Sequence, residues 1–226
     1  MKRIMFLAAL AATVTAAHAQ YVVRGEFNSW GGTGDVAMAN LGGGLWQGTV
    51  TGLTVGTGYE FKVTTPDWSD NAPGSNARAY SDASGNLLVN FWETAAADGW
   101  NPSSGHRVGY DNGNFHGWDI MGSFDGWVNP LITLTHQGSG LYTGSVVLNP
   151  GTYFYKFRKA GDWGVSIGDN FGNSAQDIQL NVGATSMYEF KLDVPNGRYT
   201  ANAVPEPASM AVLGLGAAAL LRRRRR

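Results

Sequence analysis

The sequence of 226 residues contains no cysteine. The protein therefore has no disulfide framework, no thiol nucleophile and no thiolate ligand for a metal ion. Without disulfides, a chain of this size must be stabilised by its own hydrophobic core. The central part also lacks a long helical period, so short alternating runs are its main structural signal.

The N-terminal sequence MKRIMFLAALAATVTAAHA has a basic start, an apolar run and a small-residue end at Ala17-His18-Ala19. This arrangement predicts a secretory signal peptide, which would form an N-terminal signal helix over residues 1–19, with cleavage before Gln20. The alternative is an ordinary N-terminal helix. The apolar run is too short to span a bilayer comfortably and ends in an Ala-x-Ala pattern, which favours the signal peptide.

The C-terminal sequence VPEPASMAVLGLGAAALLRRRRR has three parts: the segment Pro205-Glu206-Pro207, an uncharged run over residues 208–221, and five arginines. As a helix, the run of about 14 residues would be about 21 Å long, short of a hydrocarbon core of roughly 30 Å. The arginine block is expected to stay on the cytoplasmic side of the membrane.

These three parts, over residues 204–226, resemble the PEP-CTERM sorting signal of Gram-negative bacteria. The resemblance implies recognition by an exosortase, cleavage near the Pro-Glu-Pro segment, and delivery to the cell surface or the extracellular matrix. It also implies a transient association with the inner membrane through a C-terminal hydrophobic sorting helix. A plain C-terminal tail anchor is the alternative.

The charge of the chain changes once both ends are removed. Residues 20–205 carry nine basic and sixteen acidic groups, which is a net charge of −7. A chain of that sign without a basic patch is not expected to bind nucleic acid.

The central part is rich in short runs in which apolar and polar residues alternate, such as LWQGTV, YEFKV, LYTGSVVL and YFYKF. Such runs, bounded by glycine, asparagine and proline turns, are typical of β-strands. Many short strands with frequent turns predict an all-β fold built as a β-sandwich.

The central part is also a tandem repeat, because the same features recur in the same order at nearly the same spacing. We therefore predict a first sandwich over residues 20–110, a linker over residues 111–117 and a second sandwich over residues 118–203. The matching segments are residues 27–30 and 124–127, 43–50 and 139–146, 56–63 and 151–157, the Asp-Trp pairs at 67–68 and 162–163, and residues 86–93 and 186–193.

The junction between the halves contains Asp111, Asn112 and Asn114, with Asp119 shortly after it. Oxygen ligands of this kind can bind calcium. The segment lacks the full spacing and the closing bidentate glutamate of an EF-hand loop. A plain linker is therefore the better interpretation.

The order of the repeated motifs resembles the early-set domains that bind glycogen and starch. These domains occur in the β subunits of AMP-activated kinase and beside the catalytic barrels of pullulanases and branching enzymes. The second half matches closely at GSFDGW, YFYKFR and GDW, whereas the first half has FKV in place of YKF and a longer insert after Trp68. The resemblance implies two tandem immunoglobulin-like, early-set β-sandwiches.

The resemblance also implies a sugar-binding platform in each half. An indole can cover the apolar face of a pyranose ring, and a lysine ammonium supplies three hydrogen-bond donors for its hydroxyls. The family also uses a polar residue near the last strands, for which Gln176 and Asp177 are the nearest candidates. The platform positions are Trp127, Lys156 and Trp163 in the second half and Trp30, Lys62 and Trp68 in the first.

The alternative interpretation is that the aromatic residues only complete the core, as aromatic side chains at strand ends often do. For the tryptophans outside the platform positions, a structural role is the better interpretation. These are Trp46, Trp92, Trp100 and Trp118.

No constellation in the sequence predicts catalysis. His106, His116 and His136 lack metal-ligand spacing, and the scattered acids have no predicted cleft in which two carboxylates would face a glycosidic bond. We therefore expect a non-catalytic protein without metal or cofactor, whose partner is a polysaccharide, either an α-glucan or an exopolysaccharide. The alternative is a purely structural spacer of the surface or matrix that binds no sugar.

Overall fold

The computed structural model describes residues 20–111 and 116–205. Within these ranges the regular structure is β-strand, apart from a short 3-10 segment at Glu26–Gly31. The strands of the first half are β1 Val22–Gly25, β2 Val36–Ala37, β3 Ala39–Gly42, β4 Leu45–Val50, β5 Gly58–Thr64, β6 Asn71–Tyr80, β7 Leu87–Trp92 and β8 Arg107–Asp111. Those of the second half are β9 Trp118–Gly122, β10 Ile132–Gly138, β11 Leu141–Leu148, β12 Gly151–Lys159, β13 Asp162–Ile167, β14 Ile178–Val182, β15 Ser186–Asp193 and β16 Arg198–Ala203. The prediction of an all-β fold is confirmed.

The first half consists of two antiparallel sheets. Sheet I has the strand order β2-β1-β5-β6, and sheet II has the order β3-β4-β7-β8. In β7, Leu87, Val89 and Phe91 are buried and alternate with half-buried residues. Alternation of this kind places one face of the sheet against the core and the other towards solvent. The two sheets therefore enclose a sandwich core.

The second half forms one eight-stranded sheet that folds over at β10. Its strand order is β13-β12-β9-β10-β11-β15-β16, and β14 also pairs with β12. We call the part on the β9 side of β10 sheet III and the part on the β11 side sheet IV. The first residues of β10 pair with β9 and its later residues pair with β11, so β10 belongs to both sheets. In the first half, the separate strands β2 and β3 make these two connections.

The two halves repeat the same strand register. Arg24 of β1 lies opposite Lys62 of β5, and Met121 of β9 lies opposite Lys156 of β12. One residue later, each first strand ends in a glycine. A Cβ on Gly25 would collide with the carbonyl of Glu60, and a Cβ on Gly122 would collide with the carbonyl of Phe154. The glycine that opens each Gly-x-Phe motif is therefore required by close approach of the neighbouring strand.

The two halves share one hydrophobic core. Tyr110 of β8 is buried and contacts Phe61 of its own half and Phe171 of the other half, with ring centroids 6.1 Å and 6.4 Å apart. The backbones of Asn101 and Tyr199 exchange two hydrogen bonds of 2.8 Å across the junction. The β-sandwich architecture is therefore seen in a form in which the halves are packed together.

The predicted domain boundaries stay a prediction. The first half ends with β8 at Asp111 and the second begins with β9 at Trp118, and residues 112–115 of the predicted linker lie outside the described residues. The predicted signal helix over residues 1–19 and the predicted sorting helix over residues 208–221 also lie outside them. The early-set identity of the sandwiches stays a prediction.

Candidate functional site

The first half presents Trp30 in the turn that follows β1. Trp30 has a φ of +57°, which is unusual for a bulky residue. The turn is held by Asn28, whose side-chain oxygen accepts hydrogen bonds from the backbone N–H of Gly25 at 2.9 Å and of Gly31 at 3.3 Å. The buried Asn28 thus holds the turn that carries Trp30.

The second half presents Trp127 in the equivalent turn after β9. Its φ is +69°, and its N–H donates to the carbonyl of Gly122 at 2.9 Å. Here Asp125 replaces the asparagine, and its carboxylate accepts from the N–H groups of Val128 and Asn129 at 3.2 Å and 2.7 Å. The repeated Phe-(Asn/Asp)-x-Trp motif is therefore a turn with a side-chain acceptor that displays a tryptophan.

The second tryptophan of each half follows an aspartate that shapes a hairpin. Asp67 accepts from the hydroxyls of Ser69 and Thr65, each at 2.7 Å. These bonds, with that of Ser69 the largest, lower the pKa of Asp67 to about 2. Trp68 comes directly after this aspartate, with a φ of +63°. The aspartate of the Asp-Trp motif therefore organises the loop that carries the indole.

The equivalent aspartate of the second half acts in the same way. Asp162 accepts from the N–H of Gly164 at 2.7 Å and from the ammonium of Lys159 at 3.0 Å. The bond from Gly164 and then that from Lys159 lower the pKa of Asp162. Trp163 lies between these anchored residues at the start of β13.

The structure brings the two predicted tryptophans of each half together. The ring centroids of Trp127 and Trp163 are 6.1 Å apart, with an angle of 48° between the ring planes. Those of Trp30 and Trp68 are 6.5 Å apart at 40°. Trp163 is 47% exposed and Trp68 is 39% exposed. Each half thus carries a partly exposed pair of indoles.

An arginine that the sequence did not single out lies over one indole of each pair. The guanidinium carbon of Arg158 is 5.2 Å from the ring centroid of Trp163, and that of Arg24 is 5.2 Å from that of Trp68. Arg158 also binds the carboxylate of Asp119 at 2.7 Å. Cation–π contacts of this geometry hold an aromatic ring in place. The arginines come from different strands in the two halves, so the linear repeat gave no signal for them.

The predicted lysines lie on the outward faces of sheets I and III, each with polar partners. Lys156 pairs with Asp177 at 3.3 Å and its side chain is 17% exposed. Lys62 donates to the side-chain oxygen of Asn71 and to the carbonyl of Gly74, both at 2.9 Å. Burial lowers the pKa of Lys62. Asp177, one of the two candidates for the extra polar residue, is therefore the one that meets the lysine.

The tryptophans outside the platform positions have other surroundings. Trp46 is buried, and its indole N–H donates to Glu93 at 2.8 Å. Trp118 is buried, and its ring contacts Tyr142 edge-on. Neither ring is available to a ligand in this arrangement. The remaining two, Trp92 and Trp100, are half-buried.

His106 and His116 are held by contacts within the fold. Both ring nitrogens of His106 are engaged, one with the carbonyl of Glu93 at 2.6 Å and the other with Asp70 at 3.0 Å. The Nε2 atom of His116 is buried without a hydrogen-bond partner, and its ring contacts Tyr80 edge-on. Burial lowers the pKa of His116. His106 thus has no nitrogen left to act as a base.

Among residues 20–111 and 116–205, no group of three or more histidine or acidic side chains is arranged to hold a metal ion. Asp119, one of the four oxygen ligands considered for calcium, is buried and bonded to Arg158 and Thr133. Its carboxylate is therefore committed within the protein. Two other ligands considered there, Asn112 and Asn114, lie outside the described residues.

Comparison with known proteins identifies the C-terminal segment. Residues 203–226 match the model of the PEP-CTERM protein-sorting motif. This match confirms the predicted sorting signal and implies an exported protein that is handled by an exosortase in a Gram-negative bacterium. A search among curated proteins found no match to the chain.

The sorting motif begins where the last strand ends. The N–H of Val204 donates to the carbonyl of Met187 at 2.7 Å, and the following Pro205 is exposed. Glu206 and Pro207, the other residues of the predicted signal, lie outside the described residues. In the part of the chain that the structure describes, no helix has the length and apolar character needed to cross a membrane.

Proposed function

We propose that the protein is an exported, non-catalytic component of the cell surface or extracellular matrix, whose early-set β-sandwiches bind a polysaccharide weakly. The polysaccharide is an α-glucan or an exopolysaccharide. The sorting motif supports export. The resemblance of the repeated motifs to glycogen- and starch-binding domains supports the class of ligand.

The observation that carries this proposal is the Trp127–Trp163 pair together with the Lys156–Asp177 ion pair. Lys156 lies two residues along the outward face of β12 from Arg158, which contacts Trp163. The indoles offer an apolar surface to the C–H face of a sugar ring. The ammonium can donate hydrogen bonds to the sugar hydroxyls and the carboxylate can accept hydrogen bonds from them. These bonds would replace those that the hydroxyls make with water before binding. An aromatic surface with a donor and an acceptor alongside is the chemistry that a pyranose requires.

The expected affinity is low. One indole pair and one ion pair leave most sugar hydroxyls in water, and association costs several kcal/mol of translational and rotational freedom. A dissociation constant between roughly 10 μM and 1 mM follows, or about −7 to −4 kcal/mol. Two such sites on one long polysaccharide raise the overall avidity through effective concentration.

The absence of a catalytic role in this proposal rests on how the candidate acids and bases are used. Glycosidic hydrolysis needs two carboxylates that flank the scissile bond. Asp67 and Asp162 instead hold hairpins, and Asp119 is buried against Arg158. His106 has both nitrogens engaged.

A second candidate function is a structural spacer that binds no sugar. It is favoured by the arginines, because Arg158 covers part of Trp163 and Arg24 covers part of Trp68. In this alternative, the cation–π contacts exist only to close the ends of the sandwiches. The export signal is the same in both cases.

Retention on immobilised polysaccharides separates the two candidates. The exported protein should be retarded on amylose or glycogen, and a glycan array should identify any preferred exopolysaccharide. Unretarded passage through amylose, glycogen and cellulose columns, with no signal on the array, would leave the spacer as the function to keep.

A further inference from the structure

The outward face of β12 continues beyond the candidate site as a line of exposed side chains. Tyr155 and Phe157 point into the core and are almost completely buried. Thr152, Phe154 and Lys156 alternate with them and therefore point outward. Phe154 is 42% exposed, which is unusual for an aromatic ring in a strand centre.

The neighbouring strand β14 extends this outward face with amide side chains. Gln179 lies opposite Phe154, and Asn181 lies opposite Thr152. Both amide residues are exposed and alternate with buried neighbours. We call the four residues Thr152, Phe154, Gln179 and Asn181 the amide strip.

The amide strip is ordered by its own hydrogen bonds. The side-chain oxygen of Asn181 accepts from the hydroxyl of Thr152 at 3.0 Å and from the amide nitrogen of Gln179 at 3.2 Å. Because this oxygen accepts two hydrogen bonds, the amide nitrogen of Asn181 and the amide oxygen of Gln179 are the amide groups of the strip that could bond a ligand. The strip thus offers a donor, an acceptor and a ring on one surface.

The amide strip adjoins the candidate site directly. The N–H of Phe154 donates to the hydroxyl oxygen of Ser123, in the turn that carries Trp127, at 3.0 Å, and the N–H of Ser123 donates to the carbonyl of Phe154 at 2.8 Å. Lys156 lies two residues from Phe154 on the same face. From Arg158 at Trp163 to Thr152, the strand runs over seven residues, which is about 20 Å.

The first half lacks an amide strip. Matching register places Glu60 where the second half has Phe154. Glu60 accepts a hydrogen bond from the side chain of Asn76 at 2.8 Å and lies 3.9 Å from the guanidinium of Arg78. A charged cluster therefore closes this face in the first half, and the halves differ in the surface they offer to a long ligand.

We infer that the second half binds an extended polysaccharide chain along β12 and β14, with the first two sugars on the Trp127–Trp163 pair and Lys156 and further sugars on the amide strip. This inference rests on the proposed function, which it deepens by assigning the site to a chain of several sugars. A carbohydrate fits because the strip offers a ring and neutral amide and hydroxyl groups, which match apolar sugar faces and hydroxyls. A peptide added to the edge of β14 would use that strand's backbone rather than these outward side chains.

The test measures binding of linear malto-oligosaccharides of increasing length, from maltose upward, to the full chain by titration calorimetry. The variants are Phe154→Glu, which introduces the residue of the first half, Gln179→Ala, and Trp127→Ala. Glu60→Ala is the matched control, because it changes the equivalent position of the first half.

For the wild type, affinity should rise with chain length and then level off when the strip is filled. Phe154→Glu should weaken binding of the longest oligosaccharides about tenfold, which corresponds to about 1.4 kcal/mol, and leave the affinity for maltose unchanged. Gln179→Ala should have a smaller effect of the same kind. Glu60→Ala should change neither affinity. Trp127→Ala should remove binding by the second half, so that only the weak binding of the first half remains.

Two results would overturn the inference in distinguishable ways. If the wild type binds maltose and long chains equally, or if Phe154→Glu leaves long-chain affinity unchanged, the amide strip is not part of the site although the glycan-binding function stands. If the wild type binds no oligosaccharide of any length, the α-glucan function fails and the strip fails with it. Circular dichroism of each variant checks that the fold is retained.

Discussion

Tyr110 of the first half and Phe171 of the second are both buried, with their ring centroids 6.4 Å apart and the ring planes inclined at 66°. This contact lies at the junction, where the edge strand β8 of sheet II meets the loop that follows β13. The junction is therefore a part of the core rather than a surface contact between independent domains.

We expect Phe171→Ala to destabilise the whole molecule by about 3–5 kcal/mol, because it removes a buried aromatic ring from the shared core. Urea unfolding followed by tryptophan fluorescence should show one transition, shifted to lower urea. Phe154→Ala serves as the control, since loss of an exposed ring should change stability by less than about 0.5 kcal/mol. Two separate transitions in the wild type would contradict a shared core.

Trp127→Ala should abolish retention on amylose or glycogen while the circular-dichroism spectrum stays intact. The physical reason is that Trp127 is one of the two indoles in the surface that we propose for the sugar. Trp30→Ala, the equivalent change in the first half, should reduce retention less, because that half lacks the amide strip. Retention of the Trp127 variant equal to that of the wild type would place the sugar elsewhere.

The free energy of unfolding should decrease in two steps as the pH is lowered. Burial lowers the pKa of His116, so its contribution is complete above its unfolded value of about 6.5 and is lost as the pH falls below it. The bond from Arg107 lowers the pKa of Asp98, so its contribution is lost only below about pH 4. The unfolding free energy measured against pH should show both steps.

Matched variants assign these steps. His116→Gln should flatten the step below pH 6.5 and leave the acidic one. Asp98→Asn should reduce the acidic step, to which Asp67 and Asp162 also contribute. It should also weaken the junction, because Asp98 binds Arg107 of its own half and Arg198 of the other at 3.1 Å. A profile that neither variant changes would remove these two groups as the cause.

Processing at both ends can be checked on protein recovered from the native host. Intact-mass measurement should show loss of residues 1–19 and of most of residues 208–226. The expectation follows from the Ala-x-Ala pattern and from the confirmed sorting motif. Surface protein that retains the arginine block would instead indicate a tail anchor.

Much of the fold could be predicted because alternation and turn residues are local properties of a sequence. The strand pattern gave the all-β fold, and the repeated motifs marked the tryptophans that the structure pairs. Strand register could not be read with the same accuracy. The matched segments 86–93 and 186–193 align Leu88 with Tyr188. In the structure, however, Val50 pairs with Leu87 and the equivalent Val146 pairs with Tyr188, so the true equivalent of Tyr188 is Leu87, one residue earlier. A one-residue shift exchanges the inward and outward faces of a strand, so local similarity alone cannot fix it.

The contacts between distant residues were beyond the reach of the sequence for a related reason. Arg24 and Arg158 reach their tryptophans from different strands, and no linear motif records which side chains meet across a sheet. The shared core depends in the same way on how the edges of the two sandwiches meet. The exposure of Phe154 could not be predicted, because it depends on the residues of the adjacent strands. In the sequence, Phe154 stands in a run of aromatic residues that is typical of a core strand.

The exit of the chain from β16 has a consequence for orientation. Tyr155 of sheet III packs against Phe190 of sheet IV, so the indole pair lies on the side of sheet III that faces away from sheet IV. The sorting motif leaves from sheet IV, directly after Val204 is tied to Met187. A molecule held at its C-terminal end is thus held from the layer opposite Trp127, which leaves its aromatic side free to meet the surroundings of the cell.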